Sequence, residues 1–326
     1  MSDETLADLQ RTIRTKGALG KLSDYQAITH AFLDLLMRLS PPRFVSRSHN
    51  NYVFYQYGAD YGFSVTSPLN TDLMLDAPET FDFAFERFMN FLGGTGRHHE
   101  AVMAQRGAEE YIASNELHKV IYTMQQAVGS VADSLSSPNM ARKLVGESFQ
   151  ALVKLIILEL GVTCAPRTIK IHSTDDPGYQ MSYQLDVVFS RDKIILTAEQ
   201  PYVAPGEIVG SIKTTSKDRL DKIFLDKYLL HKSIGWDVPV VALFLHDVQR
   251  QGDITAQHNP IALPNVSTHG TFKSNHFLHL SIMFQKLDGV YYVDPLPMMV
   301  TNRLLREQIK TFQEFLVRDL WTLSQS

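Results

Sequence analysis

The spacing of apolar residues changes near residue 166, and this change limits the folds that the chain can adopt. Before this point the apolar residues recur with the period of amphipathic helices, and after it they follow the alternating or continuous patterns of strands. Some of these strands are separated by further helical patterns. The sequence therefore predicts a mixed α/β fold in which helices flank a central mixed sheet, preceded by a mainly helical N-terminal region.

The N-terminal half is predicted to be helical apart from one aromatic segment. The predicted helices cover residues 3–16, 23–39, 80–92, 98–114, 116–130 and 139–161. The stretch between about residues 41 and 78 is aromatic and polar and is compatible with a short hairpin, and Gly93–Gly96 predict an interruption between helices.

The C-terminal half is predicted to form the sheet. The predicted strands cover residues 179–189, 193–197, 208–213, 238–245, 278–284 and 290–293, and the predicted helices cover 218–232 and 301–321. We expect residues 1–135 to form the helical region and residues 136–326 to form the core that contains the sheet. Together they are expected to make one compact unit.

Composition excludes several classes of protein. The 326 residues are 44% hydrophobic and 20% charged, as in soluble globular proteins, which excludes a disordered chain. No apolar run reaches the ~18–20 residues that span a bilayer, and the acidic N-terminus does not resemble a secretory signal. The single cysteine, Cys164, excludes an internal disulfide and a cysteine-rich metal site. We expect a cytoplasmic protein that does not associate with membranes.

The formal net charge of −4 bears on nucleic-acid binding. Proteins that coat nucleic acid without specificity are usually strongly basic, and this chain is not. Any such role would therefore rest on a local basic cleft.

Asp186 and Lys213 have the residue types of a site that cuts phosphodiesters. Asp186 lies inside a predicted apolar strand, where a carboxylate is costly unless it is paired or bound to a metal ion. Lys213 ends the predicted strand 208–213, where its charge can stabilise the negative charge that develops on a phosphate. Mg²⁺ takes oxygen ligands, usually one or two carboxylates completed by phosphate and water. The pair therefore indicates metal-assisted hydrolysis of a phosphodiester.

A second carboxylate is needed elsewhere. The position two residues before Lys213 is Glu or Asp in the commonest nuclease pattern of this kind, and here it is Ser211. Asp226, on the predicted helix 218–232, can supply the missing charge. Helical spacing places it on the same face as Lys222 and Arg219. A further carboxylate, Glu147, is predicted to open a helix that begins at Gly146.

The triplet Lys217, Asp218 and Arg219 is a candidate for reading bases. It is predicted to stand at the start of the helix that follows Lys213. Basic side chains donate to guanine O6 and N7 in the major groove, and a carboxylate accepts from the cytosine amino group. The same triplet is also compatible with an ordinary charged helix start, where Asp218 would favour the helix dipole.

Structural interpretations of the other residues stay open as well. Asp186 is compatible with a solvent-facing strand residue or a turn cap, and Lys213 with an edge-strand lysine. Asp226 is compatible with a solvated helix face, and Glu147 with an acidic first turn.

The order Asp186, Ser211-x-Lys213 and Asp226, with the basic-acidic-basic triplet after the lysine, resembles one branch of the type II restriction endonucleases of the PD-(D/E)XK superfamily. Enzymes of this branch recognise CCGG- or CCNGG-containing sites, and their usual glutamate has moved to the next helix. The resemblance covers roughly residues 140–245. It implies a PD-(D/E)XK catalytic core within residues 136–326.

The resemblance also implies the roles of the residues. Asp186, Asp226 and Glu147 would be catalytic residues that hold Mg²⁺, and Lys213 would be the catalytic lysine. The triplet residues Lys217, Asp218 and Arg219 would bind DNA by reading C·G pairs.

The function implied by the resemblance is sequence-specific cleavage of double-stranded DNA at a palindromic site. A homodimer would match the symmetry of such a site. Residues 1–135 would supply dimer contacts, DNA contacts or both. A cognate DNA methyltransferase of the same restriction-modification system would act on the same site. Two alternatives stay open: a repair or recombination nuclease of the same fold, and a catalytically silent DNA-binding module.

The remaining candidates have weaker patterns. Adjacent His98 and His99 point to different faces of a helix, and the segment 269–279 has no zinc-binding spacing, although it is compatible with a lining of a DNA cleft. The aromatic residues of the segment 52–57 are compatible with stacking on a flipped base, but a half-buried hairpin explains them equally well.

Overall fold

The computed structural model describes residues 5–56, 66–172, 180–191, 203–251 and 266–324. The chain forms two compact units, each built from three segments. Unit 1 comprises residues 1–90, 116–152 and 247–271, and unit 2 comprises residues 91–115, 153–246 and 272–326. Because these segments alternate along the chain, the predicted division between residues 135 and 136 does not coincide with a boundary between the units.

Helices make up much of the part of the chain that the structure describes. In chain order they are α1 (Leu6–Arg14), α2 (Leu22–Leu39), α3 (Pro78–Arg106), α4 (Ala108–Ser114), α5 (Glu116–Asp133), α6 (Pro138–Glu159), α7 (Leu220–Ile234), α8 (Ser274–Met283), α9 (Pro297–Thr301), α10 (Arg303–Arg306), α11 (Phe312–Glu314) and α12 (Leu320–Leu323). A π-helical turn, Phe315–Asp319, lies between α11 and α12. Within the described ranges, no helix has both the length and the apolar content that crossing a bilayer requires.

The strands form three sheets in the described ranges. In chain order they are β1 (Arg43–Val45), β2 (Tyr52–Tyr55), β3 (Leu69–Asn70), β4 (Thr163–His172), β5 (Gln180–Ser190), β6 (Ile208–Lys213), β7 (Val240–His246), β8 (Val248–Gln251), β9 (Ser267–Gly270), β10 (Gly289–Asp294) and β11 (Ile309–Thr311).

Unit 2 is built on a mixed sheet with the strand order β11-β10-β7-β6-β5-β4. Strands β6, β7, β10 and β11 run parallel to one another. Strand β5 is antiparallel to both β6 and β4. The central strands β7 and β10 are buried along almost their whole length, as expected when helices cover both faces of a sheet. Helix α7 connects β6 to β7, and Phe224 of α7 packs edge-on against Phe277 of α8.

Gly210 leaves room for two side chains of the neighbouring strand β5. A Cβ atom at this position would lie 2.7 Å from Val187 Cγ2 and 3.3 Å from the Phe189 ring. Because such distances require the neighbouring atoms to move, a side chain at this position would displace the side chains of Val187 and Phe189. In the register of this strand pair, Asp186 and Ser211 lie side by side.

Unit 1 is mainly helical and contains the two smaller sheets. Helix α5 is buried on nearly every side. The Tyr25 hydroxyl, on α2, donates a 2.6 Å hydrogen bond to the Ser148 carbonyl. Strand β2 pairs with β1 and β3 in antiparallel fashion, which confirms the predicted hairpin for Tyr52–Tyr55. Tyr57 lies outside the described residues.

Most predicted helices are confirmed within a few residues, but the predicted interruption at Gly93–Gly96 is wrong. Helix α3 runs through these glycines, and its backbone leaves helical geometry at His98 instead. Gly96 has a packing role, because a Cβ atom there would lie 2.8 Å from the Leu160 backbone. A glycine was thus mistaken for a helix breaker where it permits a close approach.

Two C-terminal predictions are also wrong. The predicted strand 278–284 overlaps helix α8, in which Phe277, Leu280 and Ser281 are buried at helical spacing. The predicted helix 301–321 is interrupted by β11, a short strand that pairs in parallel with β10. Thr311 then accepts a hydrogen bond from the Glu314 amide and caps the next helix. Strand β4 was not predicted, and the predicted strand 193–197 lies outside the described residues.

A buried lysine fixes α7 against the sheet. The Lys227 side chain is 2% exposed, and its Nζ donates to Asp288 Oδ2 at 2.7 Å and to the Lys286 carbonyl at 2.7 Å. Asp288 Oδ2 also accepts the Val240 amide at 2.6 Å, at the first residue of β7. These contacts tie α7 to the segments that precede β7 and β10.

Replacing Lys227 should destabilise the protein strongly. Lys227→Met leaves Asp288 without its buried cation, and breaking such a pair typically costs about 3–5 kcal/mol. The control Lys232→Met removes an exposed lysine of the same helix and should change stability by less than about 0.5 kcal/mol. Urea unfolding measures both, and a loss below about 1 kcal/mol for Lys227→Met would contradict the expected role of the buried pair.

Candidate active site

Asp186 and Lys213 form an ion pair across neighbouring strands. Lys213 Nζ lies 2.5 Å from Asp186 Oδ2, and the same oxygen accepts the Ile212 amide at 2.9 Å. The Ser211 hydroxyl lies 3.5 Å away, at the limit of a hydrogen bond. The Asp186 side chain is 20% exposed and that of Lys213 is 28% exposed. The cost of a carboxylate in an apolar strand is therefore offset by pairing.

The strand geometry explains why this pair forms. Strand β6 ends at Lys213, whose neighbour in the parallel strand β7 is Phe244. The register of β5 and β6 pairs Val187 with Gly210, so Asp186 comes next to Ser211. Ser211 and Lys213 alternate with the buried Ile212 and therefore face the same side of the sheet.

Asp226 lies on α7 and faces the same cavity. Its side chain is 21% exposed, and its Oδ2 lies 2.9 Å from Lys222 Nζ. Burial raises the pKa of Asp226 to about 6, because loss of water disfavours the charged carboxylate. The structure thus gives Asp226 a desolvated position rather than the solvated helix face considered from the sequence.

A cavity of about 110 Å³ collects these side chains. Two carboxylates and three cations line it together with apolar side chains of β5, β6 and α7. The charged residues are Asp186, Asp226, Lys213, Arg219 and Lys222. The carboxylates could bind a metal ion, and the cations beside them could bind an anionic ligand that also contacts that ion.

The donor set fits a magnesium ion. Among the described residues, no group of three or more His, Cys, Asp or Glu side chains is arranged to hold a metal. Mg²⁺ is usually held by one or two carboxylates and completed by phosphate and water, so a two-carboxylate cavity is sufficient. The desolvated Asp226 carboxylate is a group whose charged form a divalent cation would stabilise.

The triplet lies in a turn and not inside the helix, which corrects the predicted start of the helix at 218. Lys217, Asp218 and Arg219 are all exposed, and α7 begins at Leu220. Asp218 has φ of 56°, the left-handed conformation that aspartate tolerates better than most residues and that a helix excludes. The Ser216 carbonyl accepts the amides of Arg219 and Leu220 and closes the turn.

Glu147 lies in unit 1, in the interior of α6, so the prediction that it opens a helix is wrong. Its side chain is 61% exposed and lies 3.8 Å from Lys143. Glu147 does not belong to the residues that line the cavity. Its predicted role as a metal ligand stays a prediction.

Other sequence candidates have structural roles. The His99 ring stacks on Trp321 with 4.4 Å between centroids, and its Nε2 lies 2.8 Å from the Val317 carbonyl. Tyr52 and Phe54 are buried in the small sheet of unit 1. The sequence analysis assigns no role to Lys222, although its i,i+4 spacing from Asp226 is a signal for one.

Comparisons with known proteins support the fold. No protein-family model and no curated protein matches the sequence. The structure is similar to the crystal structure of the type IIP restriction endonuclease Kpn2I, with a TM-score of 0.63 and 15% sequence identity. The match covers 98% of this chain and 96% of that one. At this identity the likeness shows the fold alone, and it confirms the predicted mixed α/β fold of restriction-endonuclease type.

The raised pKa of Asp226 predicts a pH-dependent stability. Because the pKa in the folded state, about 6, exceeds the ordinary value of 3.8, the folded protein loses stability as pH rises through this window. Asp226→Asn removes the charge and with it this loss of stability. The free energy of unfolding of the variant, relative to that of the parent, should therefore increase between pH 4 and pH 8. Allowing for solvent screening, we expect growth of about 1 kcal/mol.

Urea unfolding at both pH values measures this difference in the metal-free protein. The control is Asp34→Asn, at an exposed i,i+4 pair with Arg38, which should show no such growth. An advantage of Asp226→Asn that is the same at pH 4 and pH 8 would contradict the desolvated position of this carboxylate.

Proposed function

We propose that the protein is a Mg²⁺-dependent type II restriction endonuclease that hydrolyses double-stranded DNA at a palindromic site containing CC/GG pairs, of the CCGG or CCNGG type. One observation carries the proposal: the Asp186–Lys213 pair and the desolvated Asp226 line the same cavity at the end of β6. The likeness to Kpn2I over nearly the full length of both chains supports it.

The chain's own residues would act as follows. Asp186 and Asp226 would hold Mg²⁺ in this cavity. When bound, Mg²⁺ supplies a Lewis acid that polarises the phosphate and lowers the pKa of water. Lys213, already fixed beside Asp186, would orient the attacking water and stabilise the negative charge that develops on the phosphate.

Recognition would come from the turn before α7. Lys217 and Arg219 are cations with long side chains, and Asp218 between them offers an acceptor. Their exposure leaves them accessible to base edges, and Arg219 also lines the cavity. This arrangement suits guanine acceptors and a cytosine donor in adjacent base pairs.

Assembly is part of the proposal. Cutting both strands of a palindrome requires two active sites related by a twofold axis, so the functional form would be a homodimer. Residues 1–135 would supply dimer contacts, DNA contacts or both. A DNA methyltransferase of the same restriction-modification system would protect host DNA at the same site.

Digestion of a sequenced plasmid tests the activity. With Mg²⁺ we expect discrete fragments whose ends map to one sequence, and Lys213→Ala should slow cleavage by at least about 10²–10³-fold, because charge stabilisation at the phosphate is lost. The control Lys232→Ala, on α7 but outside the residues that line the cavity, should cut normally.

The outcomes separate the alternatives. Cleavage that follows DNA structure instead of sequence would indicate a repair or recombination nuclease. Binding without any cleavage would indicate a catalytically silent module. If Lys213→Ala cut as fast as the parent, the assignment of the catalytic lysine would be wrong even with sequence-specific activity intact.

Substitutions in the triplet test recognition separately. Asp218→Asn keeps a residue that tolerates the left-handed conformation but replaces one hydrogen-bond-accepting oxygen by an amide donor. Arg219→Ala removes the guanidinium group, which can donate two hydrogen bonds to one base. Each should weaken discrimination at one C·G pair by about 1–3 kcal/mol, or roughly 5- to 150-fold in relative cleavage of mismatched sites. Competitive cleavage of single-substituted oligonucleotides measures this.

The matched control for recognition is Asp221→Asn, an exposed carboxylate in the first turn of α7. It should leave the order of preferred sites unchanged. Unaltered discrimination in both Asp218→Asn and Arg219→Ala would rule out base reading by this turn.

A further inference from the structure

Each of the two cavity carboxylates already has a lysine partner. Lys213 Nζ lies 2.5 Å from Asp186 Oδ2, and Lys222 Nζ lies 2.9 Å from Asp226 Oδ2. All four side chains line one cavity. A divalent cation that bound both carboxylates would therefore have to compete with two ammonium groups. Lys213 has a role in the proposed function, whereas Lys222 has none.

Lys222 differs from an ordinary surface lysine in what it contacts. Its carboxylate partner is only 21% exposed, whereas its own side chain is 60% exposed. Its Nζ also lies 5.3 Å from the centroid of the Tyr183 ring, on β5, the strand that carries Asp186. The ammonium group thus extends from α7 toward β5 at the solvent side of the cavity.

Another lysine of α7 provides an internal comparison. Lys232 Nζ lies 5.7 Å from the ring of Tyr228, so it too is placed beside a tyrosine. Lys232 has no ion pair with a described residue, and it is not one of the residues that line the cavity. Both lysines therefore lie on α7 and each lies beside a tyrosine ring. Only Lys222 pairs with a described carboxylate and lines the cavity.

We propose that Lys222 is a further residue of the active site, with one role before the metal binds and another after it. Without metal, Lys222 neutralises the partly buried carboxylate of Asp226. A divalent cation bound to that carboxylate would repel the ammonium group of Lys222. The Lys222 side chain would then turn away from Asp226, and its ammonium group would form an ion pair with a phosphate of the bound DNA strand. This inference rests on the proposed function, because it assumes that Asp226 is a metal ligand.

The chemistry of the lysine side chain permits both roles. An ammonium group on a flexible four-carbon stem is a mobile point charge, which an arginine fork is not. The exposed position of Lys222 allows its end to move without unfolding α7. A phosphate that enters the cavity would be an anion to which this ammonium group can bind after it leaves the carboxylate.

Metal and DNA titrations of three variants test the two roles. Lys222→Met removes the charge, Lys222→Arg keeps it, and Lys232→Met is the control. We first measure Mn²⁺ affinity without DNA at pH 8 by calorimetry. Lys222→Met should bind Mn²⁺ about 3- to 10-fold more tightly than the parent, because the competing cation is gone. Lys232→Met should match the parent.

The second measurement is affinity for a cognate duplex with Ca²⁺ replacing Mg²⁺. Lys222→Met should bind the duplex about tenfold more weakly at low salt. The slope of the logarithm of affinity against the logarithm of salt concentration should decrease in magnitude by about one. Lys222→Arg should retain most of the affinity. All variants should remain folded in both titrations, with Lys222→Met losing only a small part of its stability, because the partly exposed pair of Lys222 with Asp226 is weak.

The outcomes are distinguishable from failure of the proposed function. If the parent cuts DNA but Lys222→Met matches it in both titrations, the inference is overturned while the endonuclease stands. If Mn²⁺ affinity rises but DNA affinity is unchanged, the phosphate contact is overturned. If the parent binds Mn²⁺ but does not cut, the proposed function fails, and the competition for Asp226 is still decided by the Mn²⁺ titration.

Discussion

The ion pair between Asp186 and Lys213 connects β5 and β6 at the point where both strands reach the cavity. The pairing of Val187 with Gly210 places Asp186 next to Ser211, two residues before Lys213, and Gly210 leaves room for the side chains of Val187 and Phe189. The pair neutralises a carboxylate that would otherwise be costly within the sheet. The positions of Asp186 and Lys213 in the candidate site therefore follow from the pairing of β5 with β6.

Helix α7 completes the site from the other side, and its two faces have opposite roles. On the face toward the sheet, Lys227 is buried and bonded to Asp288, which also holds the start of β7. On the face toward the cavity, Asp226 is held in a desolvated position beside Lys222. The buried contacts fix the rotation of the helix, so the adjacent residue Asp226 is presented to the cavity in a defined orientation.

The sequence predicted the fold class better than it predicted the limits of individual elements. Residue type and order single out Asp186, Lys213 and Asp226, and all three line one cavity, while their catalytic roles stay predictions. Strand β11 and helix α8 were missed because short apolar runs have no decisive period and tertiary pairing selects the structure.

Contacts between distant segments explain the remaining misses. The role of Gly96 depends on the backbone of Leu160, which no local pattern reveals. The turn that carries Asp218 depends on a left-handed backbone where charge patterning favoured a helix start. Lys227 looked like one of several lysines on an amphipathic helix, and only the fold brings Asp288 to it.

Anomalous diffraction from crystals of the protein with Mn²⁺ and an uncleaved duplex tests the central claim most directly. The account predicts a peak with carboxylate oxygens of both Asp186 and Asp226 within about 2–2.5 Å, and Lys213 Nζ beside the scissile phosphate. A peak bound by neither carboxylate, or none in this cavity while the duplex is bound, would contradict it.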